Sequence, residues 1–238
     1  MDSKDELDSS IRVWDSPVRI IHWALVLAVF GAWITRELEG DWFAWHTRFG
    51  YAVLVLVLTR IIWGFVGSRY ARFAQFVRGP RAIGAYIASL RRGAKQSEPS
   101  SSVGHNPLGA LMILALLALL AAQAITGLFA NDQIFQTGPL FGYVSVALSD
   151  QLTTLHKQLF DVLWVAIALH VVAAVIYAWL LRQNLITPMF TGRKRGHFLP
   201  DADMGRSRPL WAWVIAVILA LILVWVVSTA PEAFLFDF

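Results

Sequence analysis

The chain has 238 residues, 57% of them hydrophobic and only 15% charged, against roughly 25% charged in soluble globular proteins; this excludes an ordinary water-soluble domain and suits one compact bundle. Its net charge of +4 and pI near 9.7 do not point to nucleic acid, because the basic residues cluster in loops between apolar stretches. The absence of cysteine excludes disulfides, thiolate-held iron–sulfur clusters and the thioether attachment of c-type haem.

A membrane-crossing helix needs about 20 mostly apolar residues, and five stretches qualify. Residues 1–16 precede them and are acidic at Asp2, Asp5, Glu6 and Asp8. Span one, Val18–Thr35, does not read as a cleavable signal, because its flank is acidic and no small-residue cleavage site follows. Span two, Phe43–Val66, carries Arg60, expected to snorkel to the basic end. The loop after it holds seven basic residues (Arg69, Arg72, Arg78, Arg81, Arg91, Arg92, Lys95) and then a Ser-rich stretch, Gln96–Gly104, that reads as a flexible connection. Span three, Leu108–Ala130, is interrupted only by Gln123 and Thr126. The connection Asn131–Gln151 has no basic residue, and its apolar part, Pro139–Leu148, is expected to lie on the membrane or on a partner. Span four, Leu155–Leu181, leads into six more basic residues (Arg182, Arg193, Lys194, Arg195, Arg206, Arg208), and span five is Leu210–Val227.

The positive-inside rule then places the N-terminus and both basic loops in the cytoplasm and the tail from Glu232 to Phe238 outside. Most tryptophans (Trp14, Trp33, Trp42, Trp45, Trp63, Trp179, Trp211, Trp213) fall near span ends, where aromatic belts form. Trp23 and Trp164 suit a core. The expected organisation is a cytoplasmic segment (1–16), a transmembrane domain (17–192), a basic cytoplasmic loop (193–208) and a last helix with a short periplasmic tail (209–238). The fold class is an all-α integral membrane protein, a four-helix bundle plus a fifth C-terminal transmembrane helix, in a bacterial inner membrane.

Four of the six histidines, His22, His46, His156 and His170, lie in or at the edge of spans. Ionisable groups inside a membrane are costly and point to function, and imidazole is the usual nitrogen ligand of haem iron. His156 and His170 are fourteen residues apart, about 40° short of four full turns, so both rings project from one helix face roughly 21 Å apart along the axis. That separation suits two macrocycles and no single metal ion. Matching depths pairs His46 with His156 on the outer side and His22 with His170 on the inner side, giving two bis-histidine haems. His105 and His197 fall in loops or at a span edge and are not read as ligands.

Gly31, Gly50 and Gly127 interrupt bulky spans, where glycine admits either a flat ligand or a neighbouring helix. Arg48 and Lys157 sit beside the outer histidines, where they could pair with haem propionates or simply snorkel. All-histidine ligation would leave no open iron position, which argues against oxygen binding. A metal transporter would need acidic ion stations in the membrane, and only Asp161, near a span end, offers itself; a non-redox anchor or transporter is the weakest reading.

At this point the sequence resembles the bacterial cytochrome b561 and nickel–iron hydrogenase b-type cytochrome family. The matching pieces are Val13-Trp14-Asp15 through His22-Trp23, His46-Thr47-Arg48-Phe49-Gly50, Arg60-Ile61-Ile62-Trp63-Gly64-Phe65-Val66-Gly67 with Ala71-Arg72-Phe73, His105-Asn106-Pro107, and the His156/His170 pair. The resemblance covers roughly residues 11 to 192 and implies a four-helix core with two non-covalent b haems on His22, His46, His156 and His170. It also implies an electron-transfer subunit linking the quinone pool to a periplasmic redox partner such as a hydrogenase or a cytochrome c. Some members act alone on superoxide or quinol. The fifth span departs from minimal four-helix members and could dock a partner or a second copy of the chain.

Overall fold

The computed structural model describes residues 9–38, 41–91, 106–134, 136–180, 183–196 and 208–231. Its secondary structure is mostly helical, at 79%. Five helices are long and apolar enough to cross a membrane: α1 (Ser16–Glu37), α2 (Trp42–Val66), α5 (Pro107–Leu128), α6 (Val146–Trp179) and α8 (Leu210–Ser228). Between them lie the short α3 (Phe73–Phe76), α4 (Pro80–Arg91) and α7 (Ile186–Thr191). A two-stranded antiparallel sheet joins β1 (Ser9–Arg12) to β2 (Arg193–Gly196), with Ser9 opposite Gly196 and Arg12 opposite Arg193. The segment before span one and the basic loop after span four therefore meet at one end of the helices.

Helix boundaries follow local chemistry. Asp15 caps α1 by accepting a hydrogen bond from the Val18 N–H at 3.0 Å, and Asn106 caps α5 by accepting from the Gly109 N–H at 2.7 Å, with Pro107 in the first helical position. Helix α7 stops at Gly192, whose φ of 77° suits a residue without a β-carbon. Span four extends further than its apolar stretch. Helix α6 has 34 residues, about 50 Å at the usual rise, against a hydrocarbon core near 30 Å. Its first two turns carry Ser149, Asp150 and Thr153, too polar for a membrane window but helical all the same.

The chain forms two compact units. One comprises Met1–Arg19, Ile62–Ala115 and Leu169–Ala212; the other comprises Ile20–Ile61, Leu116–Ala168 and Trp213–Phe238. In the first, Asp15 is 2% exposed and uses both carboxylate oxygens: Oδ1 caps α1, and Oδ2 accepts from the Trp63 indole N–H at 2.9 Å. The Gly192 carbonyl accepts from the backbone N–H groups of Val13 at 2.9 Å and Trp14 at 3.2 Å, and an Arg19 guanidinium N–H donates to the Phe190 carbonyl. Trp63, expected in an aromatic belt, is 3% exposed and belongs to this core. The Tyr86 and Tyr177 hydroxyls share a hydrogen bond of 2.8 Å, fixing α4 to α6.

In the second unit, polar groups are turned onto the helices that carry them. Thr35, Thr59 and Thr126 donate to the carbonyls of Gly31, Val55 and Ala122 at 2.6, 2.7 and 2.8 Å, as they must where no water can satisfy them. Arg60, expected to snorkel, is buried instead. The connection after α5 is also more built than its sequence suggests. Asn131 donates to Ser149 Oγ at 2.6 Å and to Asp150 at 3.0 Å, and Leu140 and Phe141 are buried rather than lying on a surface. Tyr143, Val146 and Leu148 do remain exposed. Helix α8 is apolar and exposed around most of its circumference, with Ala212 as its buried residue.

Candidate functional site

The second unit contains a cavity of about 310 Å³, within the range of ligand sites. Helices α1, α2, α5 and α6 and the connection after α5 all contribute to its wall. His46 and His156 both line it, their ring centroids 6.4 Å apart and their planes 84° to one another. Two imidazole nitrogens each roughly 2 Å from one shared metal would put the ring centres about 6 Å apart, so the spacing suits a single metal between them.

Each ring is held by its Nδ1. His46 Nδ1 lies 2.8 Å from the Ala32 carbonyl, and His156 Nδ1 lies 2.9 Å from the Gln123 carbonyl. A carbonyl can only accept, so both rings carry their proton on Nδ1 and present the Nε2 lone pair. This is the second-shell arrangement that orients metal-bound histidine. His46 is further steadied by the Phe43 ring at 5.8 Å.

Helix α5 cradles the His156 ring with three residues on one face, Gln123, Thr126 and Gly127. The Thr126 hydroxyl is 3.2 Å from Nδ1. A β-carbon on Gly127 would come within 2.9 Å of His156 Cε1, so glycine makes room for the ligand's ring. Gly50 lines the cavity and would meet nothing within 4 Å, which leaves space for a flat ligand on that side. The gap at Gly31 is filled by the Phe49 ring, 2.6 Å from the position a β-carbon would take; there glycine serves helix packing.

The cations divide differently from their sequence positions. Lys157 lines the cavity. Arg48 is exposed, stacks its guanidinium 4.7 Å from the Trp45 ring centre and does not line the cavity. Arg36, which the sequence reading did not single out, does line it, with its guanidinium 5.2 Å from the Phe160 ring centre. Phe160 continues into a cluster with Trp164, Trp33 and Phe30, confirming Trp164 as a core residue.

His22 lies in the same unit on α1, its ring edge-on to Trp23 at 5.0 Å. His170 lies on α6 in the other unit, half-buried. His105 and His197 lie outside the described residues. Among the described residues there is no group of three or more His, Cys, Asp or Glu that could hold a bare metal ion. A porphyrin supplies four nitrogens of its own, so two histidines are the number that a haem requires.

Two observations support a fit to that group. The lining is largely aliphatic and aromatic with a few convergent polar atoms, and Gln123 Oε1 is buried there with no hydrogen-bond partner. Gln123 and Thr126 were legible as the only polar interruptions of span three; the signal was present, and only the direction of those side chains was missing.

Comparison with known proteins agrees. The profile of the prokaryotic cytochrome b561 family matches residues 13–192, ending before α8. A probable Ni/Fe-hydrogenase B-type cytochrome subunit from Rhodobacter capsulatus is 28% identical over 225 residues, covering 81% of this chain and 86% of that protein. Its counterpart from Cupriavidus necator is 29% identical over 209 residues, 76% and 85% of the two chains. That of Escherichia coli K12, named as a hydrogenase 1 subunit, is 29% identical over 172 residues, 60% and 71%. No solved structure matches the chain.

Proposed function

The chain belongs to the prokaryotic cytochrome b561 family, multi-pass membrane b-type cytochromes of electron transfer, and from that premise we propose that it carries electrons across the bacterial inner membrane between the quinone pool and a periplasmic hydrogenase. The observation that carries this reading is the His46/His156 pair, two imidazoles with fixed Nδ1 protons facing one apolar cavity. His46 and His156 hold the outer b haem, and His22 and His170 hold the inner one. The N-terminus and both basic loops are cytoplasmic and the C-terminus is periplasmic, in keeping with the thirteen basic residues of those loops. The hydrogenase partner is drawn from the names of the relatives.

Bound haem supplies a one-electron iron couple at each level of the membrane. The chain's own residues determine how well that couple is held. The Ala32 and Gln123 carbonyls orient the two outer imidazoles and raise their basicity. Arg36 and Lys157, at the cavity wall, are placed to pair with propionate carboxylates, the role that Arg48 gives up to its stack on Trp45. The aromatic cluster of Phe160, Trp164, Trp33 and Phe30 keeps water from the ring face. Quinone is taken as the second redox ligand, and α8, exposed and apolar, is the surface for a membrane partner or a second copy of the chain.

The test is electron transfer in proteoliposomes. Reduced quinone in the membrane should reduce an acceptor on the opposite side in the presence of the wild-type protein. His46→Ala should abolish the reaction by removing one of two relays. Equal rates with and without the protein would refute a transmembrane path.

A further inference from the structure

One residue contacts both nitrogens of the outer ligand. The main-chain carbonyl of Gln123 takes the His156 Nδ1 proton at 2.9 Å, while its side-chain Nε2 lies 3.2 Å from His156 Nε2. Because Nδ1 carries the proton, Nε2 is an acceptor, and the carboxamide must be donating to it. The same carboxamide has its oxygen buried without a partner in the cavity. This side chain therefore satisfies the ligand nitrogen at its own expense.

We infer that Gln123 is a positioning residue for haem insertion: its backbone sets the His156 tautomer, and its side chain guards Nε2 until an iron porphyrin enters. The inference rests on the reading of His156 as a haem ligand. In the guarded state the imidazole is held in its binding rotamer, wedged between Thr126 and Gly127. The lone pair that would otherwise be buried and unsatisfied is paired with an N–H. Insertion requires the carboxamide to turn away, which exchanges one hydrogen bond for one coordination bond and releases the strandable oxygen to find a partner. Gln123 thus lowers the cost of a vacant pocket and slows its filling. An apolar residue at this position would fill faster and leave the vacant ring less ordered.

The experiment uses the full chain, produced in haem-limited cells, purified in detergent and titrated with haemin while the Soret band is followed. Spectra of isotope-labelled histidine are recorded before haemin is added. Gln123→Leu should take up the outer haemin about fivefold faster, the scale of one net hydrogen bond. Its His156 Nε2 resonance should move to that of a non-hydrogen-bonded imine nitrogen, with Nδ1 still protonated. Gln123→Met, which keeps an unbranched side chain without the amide, should do the same. Uptake that is unchanged or slower in both variants overturns the proposal, as does an Nε2 resonance that stays in place. His156→Ala in the same titration separates the two claims: if it takes up the full wild-type amount of haemin, the ligand reading itself fails, whatever Gln123 does.

Discussion

Around Asp15, polar atoms end on the protein itself. Both carboxylate oxygens are taken, one by the start of α1 and one by the Trp63 indole, and the nearby Gly192 carbonyl accepts twice. Around His156 the pattern is the reverse. Two imidazoles are anchored through Nδ1 alone, a carboxamide oxygen is left without a partner, and a glycine leaves open space at the wall. Both regions bury polar groups among apolar helices, where each unsatisfied group is expensive. The first region is closed on itself and serves the fold. The second keeps lone pairs in reserve, which is what a site for a metal-bearing ring requires.

Substitutions in the two regions should therefore fail in different ways. The largest effect on stability is expected from Asp15→Ala, which strands the Trp63 N–H and uncaps α1; it should cost about 2–3 kcal/mol. Thermal unfolding in detergent would show this as a lower midpoint, with haem content per folded chain unchanged. Gly127→Ala comes next. Its new methyl meets the His156 ring at 2.9 Å, an overpacking of about 1–3 kcal/mol that should appear as lost occupancy of one haem in the absorption spectrum while the helices survive by circular dichroism. Gly192→Ala, forced to a φ of 77° with its β-carbon 2.7 Å from the Trp14 carbonyl, should cost about 1–2 kcal/mol of stability and leave the spectrum alone. Gly50→Ala is the smallest: nothing lies within 4 Å, and stability should change by no more than about 0.5 kcal/mol. If Asp15→Ala lost haem before it lost stability, the division between the regions would not hold.

Much of this was legible in the sequence for a physical reason. Apolar runs of membrane length are unambiguous, and all five spans match helices within about two residues at most ends. The exception, the start of α6, shows the limit of the method: hydropathy finds the part of a helix that lies in lipid, and residues 146–154 continue the helix with polar groups satisfied by Asn131 and neighbouring carbonyls. Histidine spacing was enough to group His46 with His156, because depth in a membrane is nearly one-dimensional. Lateral direction is not. The sequence put Arg48 beside the ligand and overlooked Arg36, yet only Arg36 faces the cavity. Trp63 and Arg60 sit near a span end in sequence, and both are buried by neighbours that sequence position does not reveal.

The most direct test of the central claim is a pyridine haemochrome count on the purified wild-type chain, on His46→Ala, on His156→Ala and on the double variant. The account predicts two b haems in the wild type and one in each of the three variants, because the two histidines serve the same haem and the other site is untouched. A double variant with no haem, or single variants that keep two, would contradict it.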